Sequence, residues 1–209
     1  MPANRGFWTV PDIWKGGECF ILGGGPSLKK EDVARLEGRR VIAVNMAFTL
    51  ADWIDVMFFG DAGFLKNYGL SNGLMDWPGL KVTTAPAHLK RDWLRVVQRK
   101  NGPRGLSKNP NWLWWNLSSG ACAINLAFLF GVKRIVLLGF DMRKVDARNN
   151  WHDVYRGAGQ KAHHNPYGKF VGRFAAIADA LKAHGVECLN ATPNTALHEF
   201  AKVSLEDVL

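Results

Sequence analysis

The sequence contains no apolar run that reaches the roughly 18 residues a membrane span needs. Its first residues, MPANRGFWTVPDIW, contain no apolar core of the kind that a secretory signal peptide requires. Cysteine is scarce, with 3 residues in 209, and the cysteines follow no metal-binding spacing. Internal repeats and low-complexity segments are also absent. We therefore expect a cytoplasmic protein with no transmembrane segment and with buried, reduced thiols.

The chain is basic, and part of its excess charge is concentrated in one segment. The net charge is +9, and a basic surface attracts phosphorylated ligands and polyanions. Within 90–108, Asp92 is the single acid among many basic residues, namely Lys90, Arg91, Arg95, Arg99, Lys100, Arg104 and Lys108. Three interpretations stay open: a solvated helix face with its loop, a surface that contacts phosphate or nucleic acid, and a partner surface.

Short apolar stretches alternate with helix-like segments. Strands are predicted at 18–25, RRVIAVN, DVMFFGD, LKVTTAP, KRIVLLGFD and VECLNAT. Helices are predicted after Pro26 with Ser27 as N-cap, over AHLKRDWLRVVQRK, over SSGACAINLAFLFG and over KFVGRFAAIADALKAHG. The pattern predicts one α/β domain over 1–209, a Rossmann-like doubly wound, mostly parallel sheet with helices on both faces. A basic helix and loop insertion is expected at about 86–117, and a mobile, irregular active-site loop at about 141–168.

Small and polar residues follow the predicted strands. In doubly wound sheets, ligands bind beyond the carboxyl ends of the strands. The residues at these ends therefore become site candidates: Gly23, Gly24, Gly25, Pro26, Ser27, Asn45, Asp61, Asp141 and the segment 190–192.

The glycine-rich turn of GGGPSL has the properties of a phosphate-binding turn. Glycine allows close backbone approach, and a following helix N-terminus supplies N–H donors. The dinucleotide-binding motif is disfavoured, because Leu28 stands where its third glycine belongs and Asn45 stands where it needs an acid. A Walker A loop is disfavoured because Gly-Lys-Ser/Thr is missing. A tight turn without ligand remains the alternative.

A second anion-binding turn is predicted at SSG, where Ser118, Ser119 and Gly120 open the buried helix. A helix N-cap needs only one hydroxyl, and capping alone is the alternative. Three tryptophans, Trp112, Trp114 and Trp115, precede this turn. They are interpreted as core residues or as a wall for a base or an acceptor.

The ordered landmarks ILGGGPSL, VIAVNMAF, FFGDAGF, SSGACAINLAFLFGVKRIVLLGFDM and GVECLNATPNTAL resemble those of the family 42 bacterial sialyltransferases. The wider superfamily includes the archaeal 6-hydroxymethyl-dihydropterin diphosphokinases and many phage and bacterial proteins. The resemblance covers about 18–200 and is greatest to phage-type members. It implies a phage or prophage origin, with the host cytoplasm as location.

The resemblance also implies site residues. Gly23, Gly25, Pro26, Ser27 and Asn45 would contact the CMP part of a nucleotide-sugar donor. The SSG turn would contact phosphate and ribose.

A late-loop histidine would be the general base on the acceptor hydroxyl, since imidazole titrates near neutrality. The candidates are His152, His163 and His164. His164 best matches the position in the sialyltransferases, and His152 matches the phage-type branch. Tyr155 and Tyr167 are the loop tyrosines that could correspond to the family's pair.

One position departs from the sialyltransferase pattern. Asp61 stands where those enzymes have a neutral asparagine. With Asp141 it could hold Mg²⁺ through oxygen ligands, as phosphoryl transfer requires, and Asp141 would then be catalytic. Alternatively Asp61 binds a ribose or sugar hydroxyl, and Asp141 accepts backbone N–H bonds.

Three functions follow from these observations. The favoured one is a nucleotide-sugar-dependent glycosyltransferase with a CMP-type donor and a loop histidine as base. The second is a Mg²⁺-dependent diphosphokinase acting on a pterin-like alcohol. The third is a non-catalytic nucleotide- or nucleic-acid-binding phage protein that uses 90–108. The sequence does not identify the acceptor, and it leaves a homo-oligomer open.

Overall fold

The computed structural model describes residues 6–155 and 167–209. Its main feature is an eight-stranded sheet, in the order β10-β9-β8-β1-β2-β3-β4-β5, in which every neighbouring pair is parallel. A separate parallel pair is formed by β6 and β7. The strands are β1 (Glu18–Leu22), β2 (Val41–Val44), β3 (Val56–Phe59), β4 (Leu80–Thr83), β5 (Arg95–Val96), β6 (Gln98–Lys100), β7 (Trp112–Trp114), β8 (Arg134–Leu138), β9 (Glu187–Asn190) and β10 (Ala201–Lys202).

The helices connect these strands. They are α1 (Lys30–Ala34), α2 (Ala62–Phe64), α3 (Ser119–Leu129), α4 (Tyr167–Val171) and α5 (Phe174–Ala183). Short 3₁₀ turns cover Asn45–Leu50, Leu70–Asn72, Pro86–His88 and Glu206–Val208, and a π turn covers Leu65–Gly69. Among the described residues, no helix is long and apolar enough to cross a membrane.

Both faces of the sheet are buried, which confirms the predicted fold class. Along β1, Cys19 and Ile21 pack into one cluster with residues of α3 and α5. Phe20 and Leu22 pack into a second cluster with Val33 of α1 and with the 3₁₀ turn that follows β2. Because side chains alternate along a strand, an apolar strand supplies both layers at once.

The chain changes direction across the sheet next to β1. From β1 it proceeds through α1 to β2 on one side, and it returns through α3 to β8 on the other side. The boundary between β1 and β8 is therefore the topological switch point, where such sheets bind ligands.

The helix predicted over 87–100 is wrong. The segment forms a 3₁₀ turn at Pro86–His88, then turns, then β5 and β6. Val96 and Val97 are buried, and β5 pairs with β4 to become the edge strand of the sheet. Pairing with an existing sheet edge outweighs the weak helical spacing, since propensity is overridden by tertiary contacts.

Candidate functional site

A cleft of about 350 Å³ opens at the switch point, beyond the carboxyl ends of β1, β2, β3 and β8. This volume is at the lower end of the range for small-molecule sites. Most of the candidate residues line it, namely Gly23, Gly24, Gly25, Asn45, Asp61, Ser118, Ser119 and Gly120. Pro26, Ser27 and Asp141 are absent from this lining. Ligand contact by the lining residues stays a prediction.

The three glycines of the turn have different environments. The Gly23 N–H donates to the Leu138 carbonyl at 2.7 Å, and the Gly25 N–H donates to the Gly139 carbonyl at 2.8 Å. A Cβ atom on Gly23 would lie 2.4 Å from the Gly139 oxygen. Gly24 is half-buried, and a Cβ there would meet only the Asn150 amide oxygen, at 3.4 Å. The outer glycines therefore let β1 and β8 approach each other, and Gly24 is the glycine with open space beside it.

Ser27 and Asp141 form a pair beneath the turn. The Ser27 hydroxyl donates to the Asp141 carboxylate at 2.8 Å, and the Ser27 N–H is 3.4 Å from the same oxygen. The prediction that Ser27 caps α1 is wrong, because Lys29 is the N-cap residue and the Ser27 side chain is bound elsewhere. Asp141 is fully buried, and burial raises the pKa of its carboxyl while the Ser27 hydrogen bonds oppose that shift.

Replacing Ser27 with alanine should cost about 2 kcal/mol of stability at neutral pH, because it removes a donor from a buried carboxylate. The hydrogen bonds from Ser27 favour the charged form of Asp141. The cost should therefore shrink as the pH falls and Asp141 becomes protonated, at higher pH than for an ordinary aspartate. Urea unfolding across pH measures this cost.

Ser204→Ala is the matched control, because the Ser204 hydroxyl donates to the exposed Asp207 carboxylate at 2.7 Å. It should cost less than about 1 kcal/mol. Equal costs for the two variants would contradict the assignment of Ser27 to a buried charge.

The N-terminus of α3 forms a second wall of the cleft. The Ser118 hydroxyl oxygen accepts from the Ala121 N–H at 3.5 Å, and the Ser119 hydroxyl oxygen accepts from the Gly60 N–H at 3.2 Å. Within 6–155 and 167–209, neither hydroxyl donates a hydrogen bond to a protein acceptor. Two hydroxyl protons and the N–H groups of Ser119 and Gly120 are therefore available to an anion.

Of the three tryptophans before α3, only Trp115 lines the cleft. β7 buries Leu113 on one side and leaves Trp112 and Trp114 half-buried on the other, because side chains alternate along a strand. The Arg99 guanidinium lies over the Trp115 ring at 4.4 Å, and the Lys100 ammonium lies over the Trp112 ring at 3.5 Å. Two cations of the basic segment therefore make cation–π contacts with these rings.

Three cleft residues other than glycine have left-handed backbone conformations. They are Asn45 at φ 54°, Leu117 at φ 60° and Met142 at φ 49°. Such a conformation costs roughly 1 kcal/mol for a side-chain-bearing residue, and it concentrates at functional sites. Nothing in the sequence indicated that Leu117 and Met142 belong to the site. Asn45 was a candidate because it follows a strand, and asparagine tolerates the left-handed backbone conformation.

The described part of the predicted active-site loop also reaches the cleft. Asn149, Asn150 and Tyr167 line it, and the Tyr167 hydroxyl donates to the Asn149 carbonyl at 2.7 Å. Burial raises the pKa of Tyr167 to about 12, so its hydroxyl stays protonated at neutral pH. Sequence reasoning missed both asparagines, because nothing distinguishes them from other polar residues of a long loop.

His152 faces aromatic side chains and is not among the lining residues. Its ring lies 5.0 Å from Trp151 and 4.6 Å from Tyr155, and its Nδ1 accepts from the Val154 N–H at 3.2 Å. Burial lowers the pKa of His152 to about 4. His163 and His164 lie outside the described residues, and the role of general base stays a prediction for all three histidines.

The His152 imidazole should titrate near pH 4 instead of near 6.5, because protonation would place a charge in a desolvated aromatic environment. NMR titration of the ring proton signals measures this midpoint. His152→Gln identifies the His152 signals by their loss. A midpoint close to 6.5 would show that the ring is solvated and would contradict this environment.

The described lining of the cleft carries very little charge. Asp61 is the single Asp, Glu, Lys, Arg or His among the described residues that line it. Asp141 lies buried beneath the turn, outside this lining. In the described ranges, no three His, Cys, Asp or Glu side chains are grouped closely enough to hold a metal ion. A Mg²⁺ site formed by Asp61 and Asp141 therefore stays a prediction without a formed ligand set.

Two solved structures share this fold. One is the sialyltransferase CstII from Campylobacter jejuni in complex with a substrate analogue, cytidine-5'-monophosphate, with 17% identity, a TM-score of 0.57, and coverage of 91% of this chain and 86% of that chain. The other is a Cst-II sialyltransferase variant in complex with CMP, with 18% identity, a TM-score of 0.54, and coverage of 88% and 84%. No protein-family model and no curated protein matches the chain. At this identity, the likeness establishes the sialyltransferase-like α/β fold over most of the chain.

Proposed function

We propose that this protein is a glycosyltransferase-like enzyme that binds a CMP-type nucleotide-sugar in the switch-point cleft. The observation that carries the proposal is the cleft itself, which combines the glycine turn with the free hydroxyl protons of Ser118 and Ser119 at the start of α3. The two sialyltransferase structures reported to share this fold are CMP complexes. These complexes support the same nucleotide class for this chain.

The charge of the cleft favours a single phosphate. A di- or triphosphate carries several negative charges, which binding sites usually neutralise with metal ions or with lysine and arginine. Apart from the Asp61 carboxylate, the described lining offers neutral donors and the partial positive charge of one helix N-terminus. The phosphodiester of a CMP-sugar has one negative charge and suits these donors. This argument favours the glycosyltransferase over the Mg²⁺-dependent diphosphokinase.

The proposed reaction transfers the sugar to an acceptor hydroxyl. The acceptor oxygen forms a bond to the anomeric carbon, the bond from that carbon to the phosphate oxygen breaks, and CMP leaves with the electron pair. The acceptor proton moves to a histidine base. We assign this role to His164, because it lies three positions before Tyr167, which lines the cleft. His163 and His152 are the alternatives.

Polyanion binding by 90–108 is the second candidate function. Arg99 is held over Trp115 and Lys100 over Trp112, so each of these two cations lies beside an aromatic ring. Such contacts suit phosphate-rich ligands. A strong salt dependence of polyanion binding, lost in an Arg99→Ala, Lys100→Ala double variant, would support this function.

A thermal-shift panel tests the proposed function. Its ligands are CMP, CTP, UDP, GDP, ATP, GTP and common nucleotide-sugars, each with EDTA or with Mg²⁺. A ligand that binds only the folded state raises the melting temperature. We expect CMP and a CMP-linked compound to raise it equally with EDTA and with Mg²⁺. A shift by ATP or GTP with Mg²⁺ alone would favour the diphosphokinase, and a panel without shifts would refute nucleotide binding in the cleft.

A further inference from the structure

Asp61 presents an exposed carboxylate to the cleft at the end of β3. The preceding residue, Gly60, donates its N–H to the Ser119 hydroxyl at 3.2 Å, which places Asp61 one residue from the anion-binding start of α3. Asp61 occupies the N-cap position of α2 but makes no side-chain capping bond. In 6–155 and 167–209, no ion pair involves this carboxylate. It is therefore available to a ligand.

The remaining polar groups of the described lining are neutral. They are the side chains of Asn45, Trp115, Ser118, Ser119, Asn149, Asn150 and Tyr167. One anionic group of a ligand can be held by the hydroxyls and N–H groups at the start of α3. A second anionic group close to it would meet no described cation in the lining and would be repelled by Asp61.

We infer, on the basis of the proposed function, that the sugar of the donor carries no carboxylate, so the donor is not an acidic CMP-sugar such as CMP-sialic acid. Asp61 selects against an acidic sugar by repulsion, and it accepts hydrogen bonds from the hydroxyl groups of a neutral sugar. An ionised carboxylate has only acceptor atoms. It therefore accepts hydrogen bonds from hydroxyl groups but cannot form one with a second ionised carboxylate. Asp61 is thus a specificity-determining residue, and its main effect is to weaken the binding of donors with an acidic sugar.

Isothermal titration calorimetry with two CMP diesters tests this inference. Cytidine 5'-(methyl phosphate) has the phosphodiester alone, and CMP-N-acetylneuraminic acid adds a sugar carboxylate. Wild-type protein should bind the methyl diester at least about 10-fold more tightly than the acidic diester, as expected for two close like charges of partly exposed groups. Asp61→Asn should tighten binding of the acidic diester about 10-fold and change binding of the methyl diester less than about 3-fold.

Asp52→Asn is the matched control. Asp52 is exposed and precedes β3, whereas Asp61 follows it, so this variant makes the same charge change at the opposite end of the strand. It should leave both affinities unchanged. Tighter wild-type binding of the acidic diester, or equal gains for both diesters in Asp61→Asn, would overturn the inference. If wild-type protein binds CMP and neither diester, only the inference fails; if CMP also fails to bind, the proposed function fails with it.

Discussion

Replacing Gly25 with alanine is expected to destabilise the folded protein by about 3 kcal/mol and to abolish nucleotide binding. A Cβ atom at this position would lie 1.9 Å from the Asp141 carboxylate and 2.6 Å from the Gly139 carbonyl oxygen. Neither group can move easily, because Asp141 is fully buried and the Gly139 carbonyl accepts the Gly25 N–H. The turn would have to leave the β1–β8 boundary, and the cleft would lose one wall.

Gly24→Ala is the control for this prediction. Its Cβ would meet only the Asn150 amide oxygen, at a normal contact distance of 3.4 Å. We expect a change in stability of less than about 1 kcal/mol in urea unfolding, with the cleft intact. If both variants lose the same stability, the close approach of β1 and β8 does not depend on Gly25, and this account of the turn is wrong.

Replacing Asn125 with alanine is expected to cost about 4 kcal/mol, because its fully buried amide anchors the chain that leads into the cleft. The Asn125 oxygen accepts from the Ser107 N–H at 2.9 Å and from the Trp114 N–H at 3.3 Å. Its amide nitrogen donates to the Ser107 carbonyl at 2.9 Å. Alanine leaves all three backbone groups without these partners. Ligand affinity should fall as well, because the cleft residue Trp115 and the start of α3 come directly after Trp114, which the Asn125 side chain holds in place.

Cys122→Ala is the comparison for Asn125→Ala. Cys122 is fully buried on the same helix, and its thiol makes only a long contact to the Trp114 carbonyl, at 3.6 Å. Replacing Cys122 with alanine removes one buried sulfur atom and should lower the free energy of unfolding by about 1 kcal/mol. Urea unfolding distinguishes the two mechanisms. Similar costs would mean that packing volume, and not the amide hydrogen bonds, holds this region.

The sheet and its switch point could be predicted because the central strands β1, β2, β3 and β8 consist mainly of apolar residues. β1, β2, β3, β4, β8 and β9 all fall within the predicted stretches. The short edge strands were missed or misassigned. β5 contains only Arg95 and Val96, and its conformation depends on pairing with β4. The local sequence does not indicate this pairing.

The lining of the cleft was predictable where residues directly follow strands or begin a helix. Asn45 follows β2, Asp61 follows β3 by two positions, and Ser119 opens α3. Ser27 was assigned to α1 because the sequence cannot show that the chain brings Asp141 to it from 114 positions away. Leu117 was also unpredictable, since a leucine gives no local signal for the left-handed backbone that it adopts just before α3.

Calorimetric titration of CMP into the wild-type protein in EDTA tests the central claim most directly. The account predicts one site per chain, equal affinity after Mg²⁺ is restored, and binding weakened by about 10-fold or more in Ser119→Ala, which removes a donor to the phosphate. Absence of CMP binding in EDTA, or an affinity that Ser119→Ala leaves unchanged, would contradict the claim that the start of α3 holds the phosphate of a nucleoside monophosphate.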